Sequence, residues 1–203
     1  AEAQFLLQSR ARIDHELSMA RFANWRMSVL AALVVGGGLG GLYYFLTLSP
    51  GPLRWAGIYC AAFIAIGISC WMYERRPAAA GSVLQHRWVM AWVVLSGLCG
   101  AASGALPWFL PTDRGVQLSA CAIQSMVMLA YVVTRAHRWI IYAIVTGQTL
   151  VLSAALLLHA HLPLAVPVAL VFAVLVLVFG LRLNDSMRAA IGQRLYALHL
   201  SER

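Results

Sequence analysis

The sequence predicts an all-α fold: a polytopic membrane bundle of six transmembrane helices, with a cytoplasmic N-terminal amphipathic helix and a C-terminal exit helix. Three observations lead there. Hydrophobic residues make up 62% of 203 positions and charged residues only 11%, outside the range of a soluble domain with an ordinary surface. The apolar residues are gathered into runs of about 20, and a helix rising about 1.5 Å per residue needs about that many to cross a hydrocarbon layer about 30 Å thick. The connectors between the runs alternate between arginine-rich and arginine-poor.

Residues 1–26 mix polar and apolar types. Leu6, Ile13, Leu17 and Ala20 are spaced to share one helical face, which predicts an amphipathic helix at the membrane surface or against a partner helix. The first span, Met27 to Thr47, contains Gly36, Gly37, Gly38, Gly40 and Gly41. Both Gly36/Gly40 and Gly37/Gly41 have the four-residue spacing that lets helix backbones approach closely, so this face is expected to pack. After the turn Ser49-Pro50-Gly51-Pro52, the second span runs from Leu53 to Tyr73, with Trp55 and Trp71 read as interfacial anchors.

A strongly basic connector, residues 74–87, leads to the third span, Trp88 to Phe109. It carries a second small-residue face of Ser96, Gly97, Gly100, Ser103 and Gly104. Spans four and five fill Gln117 to Thr149 and beyond, joined by Thr134-Arg135-Ala136-His137-Arg138. The sixth, Leu164 to Leu181, begins among Pro163 and Pro167, where a missing amide costs a helix least. Beyond it, Leu183, Met187, Ile191, Leu195 and Leu198 continue a helical spacing with charges interspersed, as in a helix leaving the membrane. The organisation expected is therefore a segment 1–26, a transmembrane domain 27–181 and a cytoplasmic signalling helix 182–203.

Arginine placement sets the orientation. All 15 basic residues are arginine, and thirteen of them lie in the N-terminal segment, connectors 74–87 and 135–138, and the tail. Only Arg54 and Arg114 lie on the other side. Under the positive-inside rule both termini are cytoplasmic. With outer connectors this short, a ligand has to enter the bundle or arrive through lipid.

The chemistry-bearing residues are few. No Asp, Glu or Arg falls in the middle of a predicted span, which weighs against coupled transport. The histidines sit at span ends or outside, and no pair is placed as haem ligands at matching depth. His159 and His161 are a weak metal pattern, and interfacial histidines are commonly solvated. Cys60, Cys70, Cys99 and Cys121 lie inside apolar runs without ligand spacing and read as packing residues. Neither a catalytic residue nor a metal or cofactor is expected in this chain. The juxtamembrane arginines fit anionic lipid better than nucleic acid.

What remains is a pair of amides. Gln124 and Gln148 lie near the middles of spans four and five, at similar depth, and an amide in hydrocarbon needs a partner. They act either as interhelical hydrogen-bonding glue or as the polar spot of a ligand pocket. In the second reading Ser96 and Ser103 on span three, Tyr131 toward the cytoplasmic end and Trp108 at the outer end complete a narrow site for a long apolar molecule with one polar group.

Several features together resemble a known kind of region, the six-span input module preceding a histidine kinase or diguanylate cyclase domain in bacterial membrane receptors. They are Arg87-Trp88, Gly100 and Gly104 before Leu106-Pro107, the connector Leu110 to Gly115 leading to Gln117, and Arg182-Leu183-Asn184 at the start of the exit helix. The layout is also similar to that of quorum-sensing kinases that detect fatty-acid or hydroxyketone signals. The resemblance implies a bacterial inner-membrane sensor, homodimeric, passing a small amphiphilic or lipid-like signal through its last helix to a cytoplasmic output domain. It also makes the chain a piece of something longer, with the enzyme activity elsewhere. The alternative is a small-molecule transporter or channel-like bundle.

Overall fold

In the computed structural model, which describes residues 25–75, 82–133 and 137–201, the chain is helical throughout. Six long helices follow one another: α1 (Trp25–Thr47), α2 (Gly51–Arg75), α3 (Val83–Gly104), α4 (Arg114–Val133), α5 (Arg138–Leu158) and α6 (Ala165–Ser201). A 3-10 turn, Leu106–Phe109, follows α3. The predicted N-terminal amphipathic helix lies outside the described residues apart from Trp25 and Arg26, as do parts of both basic connectors, residues 76–81 and 134–136.

Five of the six helices are long and apolar enough to cross a membrane: α1, α2, α4, α5 and α6. This is the pattern of a multi-pass membrane protein. The expectation of six such helices is met in number but not in hydropathy, because α3 is not among the five. Its sequence explains this. The first turns carry Gln85, His86 and Arg87, and much of the rest is glycine, serine and tryptophan, residues that pack closely without being strongly apolar. The span expected to reach Phe109 stops at Gly104, where the chain tightens into the 3-10 turn carrying Pro107.

Helices α1 and α2 run antiparallel. Trp25 at the start of α1 donates its indole N–H to Glu74 at the end of α2 (2.7 Å), and Arg26 pairs with the same carboxylate at 3.6 Å. At the opposite end, Gly40 lies against Pro52 and Ala56. Of the two glycine registers in α1, one packs: a Cβ on Gly36 would overlap Tyr59, and one on Gly40 would crowd Ala56, whereas Gly37, Gly38 and Gly41 face open space. The expectation that Gly37/Gly41 packs is thus not met within this chain.

Aromatic side chains form the core beside α2. Trp55, Tyr59 and Phe63 recur at four-residue spacing with ring centroids 5.0 and 4.9 Å apart, and Phe63 stacks on Tyr131 of α4 at 5.0 Å. Trp55 is fully buried and donates its indole N–H to the Ala102 carbonyl at 2.8 Å. It ties α2 to α3 and is not the interfacial anchor its position near a span end predicts. Trp71 is exposed, with the Arg75 guanidinium 3.8 Å from its ring centroid, which is the amphipathic setting expected of an anchor.

The closest approach in the bundle is between α3 and α5, which run parallel. Cβ atoms added at Gly100, Gly104 and Gly147 would overlap the carbonyl oxygens of Ile144, Gln148 and Gly97 respectively. Backbone therefore touches backbone over Gly97–Gly104 and Ala143–Gln148, an arrangement that only small residues permit. A second tight seam lies where Gly180 of α6 meets Val132 and Ile141. Around it Met128, Val132, Ile141, Ile144, Val145, Ala173 and Val176 join α4, α5 and α6.

Candidate functional site

The glycine contacts of α3 bring a polar centre together. Gly104 sits on the main-chain carbonyl of Gln148, so the α3–α5 seam sets the height of that residue directly. From the adjoining position Ser103 donates its hydroxyl to Gln124 Oε1 at 2.6 Å, and Gln148 Nε2 donates to the main-chain oxygen of Gln124 at 2.6 Å. Ser103, Gln124 and Gln148 are all fully buried. The two glutamines meet, but amide to backbone, since a helical carbonyl bonded within its helix keeps a second lone pair to accept with. Each amide is used at one end only. Gln124 Nε2 and Gln148 Oε1 have no hydrogen-bond partner among the described residues.

The other predicted site residues are spread along the bundle. Ser96 is buried on α3 with its hydroxyl unpartnered among the described residues, two helical turns from Ser103, or about 10 Å. Tyr131 is a similar distance from Gln124 along α4 and stacks on Phe63. Trp108 lies in the turn after α3, partly exposed, with its indole N–H directed to the Val151 carbonyl at 3.4 Å. The structure thus groups Ser103, Gln124 and Gln148, sets Ser96 and Tyr131 toward the arginine-rich end, and places Trp108 at the other end with its one donor already engaged.

A third glutamine was not among the predicted site residues. Gln117 is fully buried, and its Nε2 reaches the carbonyls of Pro107, Leu110 and Pro111 at 3.1, 3.4 and 2.8 Å. Prolines break the regular bonding of the chain between α3 and α4, so carbonyls there need a donor from elsewhere. A glutamine a few residues after two closely spaced prolines was the available signal. His159 assists from α5: its Nε2 lies 2.9 Å from the Leu110 carbonyl and its ring stacks on Trp108. It is thus engaged in packing, where a solvated interfacial histidine was expected. Gln117→Leu should destabilise the protein by about 1–3 kcal/mol, read as a lower unfolding temperature in detergent, because it removes the amide that ties three connector carbonyls to α4, although Pro107 and Leu110 keep the Leu110 N–H and His159. An unchanged temperature would mean that the connector is held by other contacts.

Among the described residues no group of three or more His, Cys, Asp or Glu is placed to hold a metal ion. Chemically, the polar centre of one hydroxyl and two amides can bind and orient a hydrogen-bonding group. Compared with known proteins, the chain matches no family model, no curated protein and no solved structure.

Proposed function

We propose that this chain is the membrane-embedded input module of a bacterial signalling receptor. A small amphiphile enters the bundle, meets Gln124 and Gln148, and alters the packing of α5 against α6, which carries the change to a cytoplasmic output domain. The observation that carries this reading is the length of α6. It runs for 37 residues without a break, from Ala165 beside the outer end of α5 to Ser201. At about 1.5 Å per residue that is about 55 Å, far more than the hydrocarbon layer of about 30 Å requires.

The same helix is fastened to the helix that bears Gln148. Ile141 of α5 meets α6 at Gly180, and Arg138 at the start of α5 pairs with Asp185 at 3.6 Å. That ion pair is exposed and weak by itself. Its value to the proposal is position: it joins α5 to α6 at the arginine-rich end, where α6 would leave the membrane. A shift of α5 at Gln148 therefore has a direct mechanical route into α6.

The same packing supports a reading with six crossings. The one helix short of hydropathy, α3, runs parallel to α5 in backbone contact, so a layer that holds α5 between its faces also holds α3. With six crossings, the arginine-rich connectors and both termini share the cytoplasmic side. Reporter fusions after residues 50, 80, 112, 137 and 162 should read out, in, out, in, out. A reversed reading at 80 or 112 would remove α3 from the membrane and invert the scheme.

A further inference from the structure

The polar centre leaves one donor and one acceptor unused. Gln124 accepts through Oε1, and its Nε2 meets no partner among the described residues; Gln148 donates through Nε2, and its Oε1 meets none there either. Both residues are fully buried, so bulk water does not reach them, and orphaned polar atoms in such a setting are costly enough to call for a partner.

The surroundings are free of charge. Arg114 and Arg138, the charged residues of α4 and α5, each stand ten residues from the glutamine on their helix, or about 15 Å along it. On α3 the nearest is Arg87, further still from Ser103, and α6 has no charged residue before Arg182. Arg54 of α2, next to Trp55, is exposed. No cation is available to neutralise an anion at the centre, and no anion to neutralise a cation.

Resting on the reading that this centre receives a ligand, we infer that it selects amphiphiles whose head group is un-ionised and both donates and accepts a hydrogen bond: an alcohol, or a carboxylic acid in its protonated form. A hydroxyl can both accept from Gln124 Nε2 and donate to Gln148 Oε1, the two roles those atoms call for. A carboxylate only accepts, so it leaves the Gln148 carbonyl unpaired and adds an uncompensated charge. An ammonium group only donates and fails at Gln124 in the same way.

The test uses the purified chain in bilayers of neutral lipid, with radiolabelled dodecanol and dodecanoic acid as probes, between about pH 5 and about pH 9, a range that spans carboxyl ionisation at a bilayer. Dodecanol should bind with an affinity independent of pH. Dodecanoic acid should lose about tenfold in affinity per pH unit above its pKa in the same bilayers, because only the protonated form enters. Gln124→Leu and Gln148→Leu should each weaken dodecanol binding by about tenfold, the size of one lost buried hydrogen bond. Acid binding that stays level or strengthens with pH, while still weakened about tenfold in both variants, would overturn the neutral-head rule and leave the site standing. Probes that bind equally well to both variants, or to none of the proteins, would overturn the site as well, the vacancies then being closed by water only. The pH profile is read on the unaltered chain, so it decides the head-group question even if a variant fails to fold.

Discussion

Gly100→Ala should lower the unfolding temperature of the bundle, and Gly37→Ala should leave it level or raise it. Both substitutions are the same exchange in a long helix, and both gain from the better helix propensity of alanine, by up to about 1 kcal/mol. They differ in what the new methyl meets. At Gly37 there is nothing within reach, whereas at Gly100 it would overlap the Ile144 carbonyl. The clash is with backbone, which has no rotamer to change, so α3 and α5 must separate. Overpacking of this kind costs about 1–3 kcal/mol, and more when it breaks a whole seam. The seam also sets the height of Gln148 through Gly104, so under the proposed function the loss should extend to ligand response. Thermal unfolding of the two variants in one detergent makes the comparison, and equal shifts would mean that the α3–α5 backbone contact is not formed.

The second large effect is expected at the polar centre. Gln124→Leu removes the acceptor of Ser103 and the vacant donor; Gln148→Leu removes the bond to the Gln124 carbonyl and the vacant acceptor. If these amides are only glue, each change should cost about 0.6–2 kcal/mol and leave signalling graded. In the proposed receptor each change moves the ligand response to about tenfold higher concentration, and the two together abolish it, while the protein still folds and inserts. The distinction requires both readings on each variant, stability in detergent and output in the full-length receptor. A normal response from the double variant would reduce the centre to a packing device.

The fold was legible where the signal is one-dimensional. Run length and arginine placement need no knowledge of neighbours, and they located all six helices, including α3, whose hydropathy alone falls short. The grouping of Ser103 with Gln124 and Gln148 was legible for a related reason: buried polar side chains in apolar helices have few partners to choose from.

Choices among equivalent faces were not legible. Gly36/Gly40 and Gly37/Gly41 have identical spacing, and only the approach of Tyr59 and Ala56 decides which pair is covered. A tryptophan near a span end reads as an interfacial anchor whether it points outward, as Trp71 does, or inward, as Trp55 does. Gln117 looked like the polar start of a span because its partners are carbonyls, which every residue carries and no sequence pattern marks. Ser96 and Tyr131 share helices with members of the centre, but two turns of helix separate them from it.

The central claim is that an amphiphile at the polar centre moves α6, and disulfide crosslinking along that helix tests it most directly. With Cys60, Cys70, Cys99 and Cys121 replaced by alanine, single cysteines at Met187 and Ile191 report whether two copies bring α6 together in native membranes. The account predicts crosslinking between copies at one or both positions, a change in its rate when dodecanol is added, and loss of that change in the Gln124→Leu, Gln148→Leu double variant. Crosslinking that is indifferent to the amphiphile, or that still responds in the double variant, would contradict it.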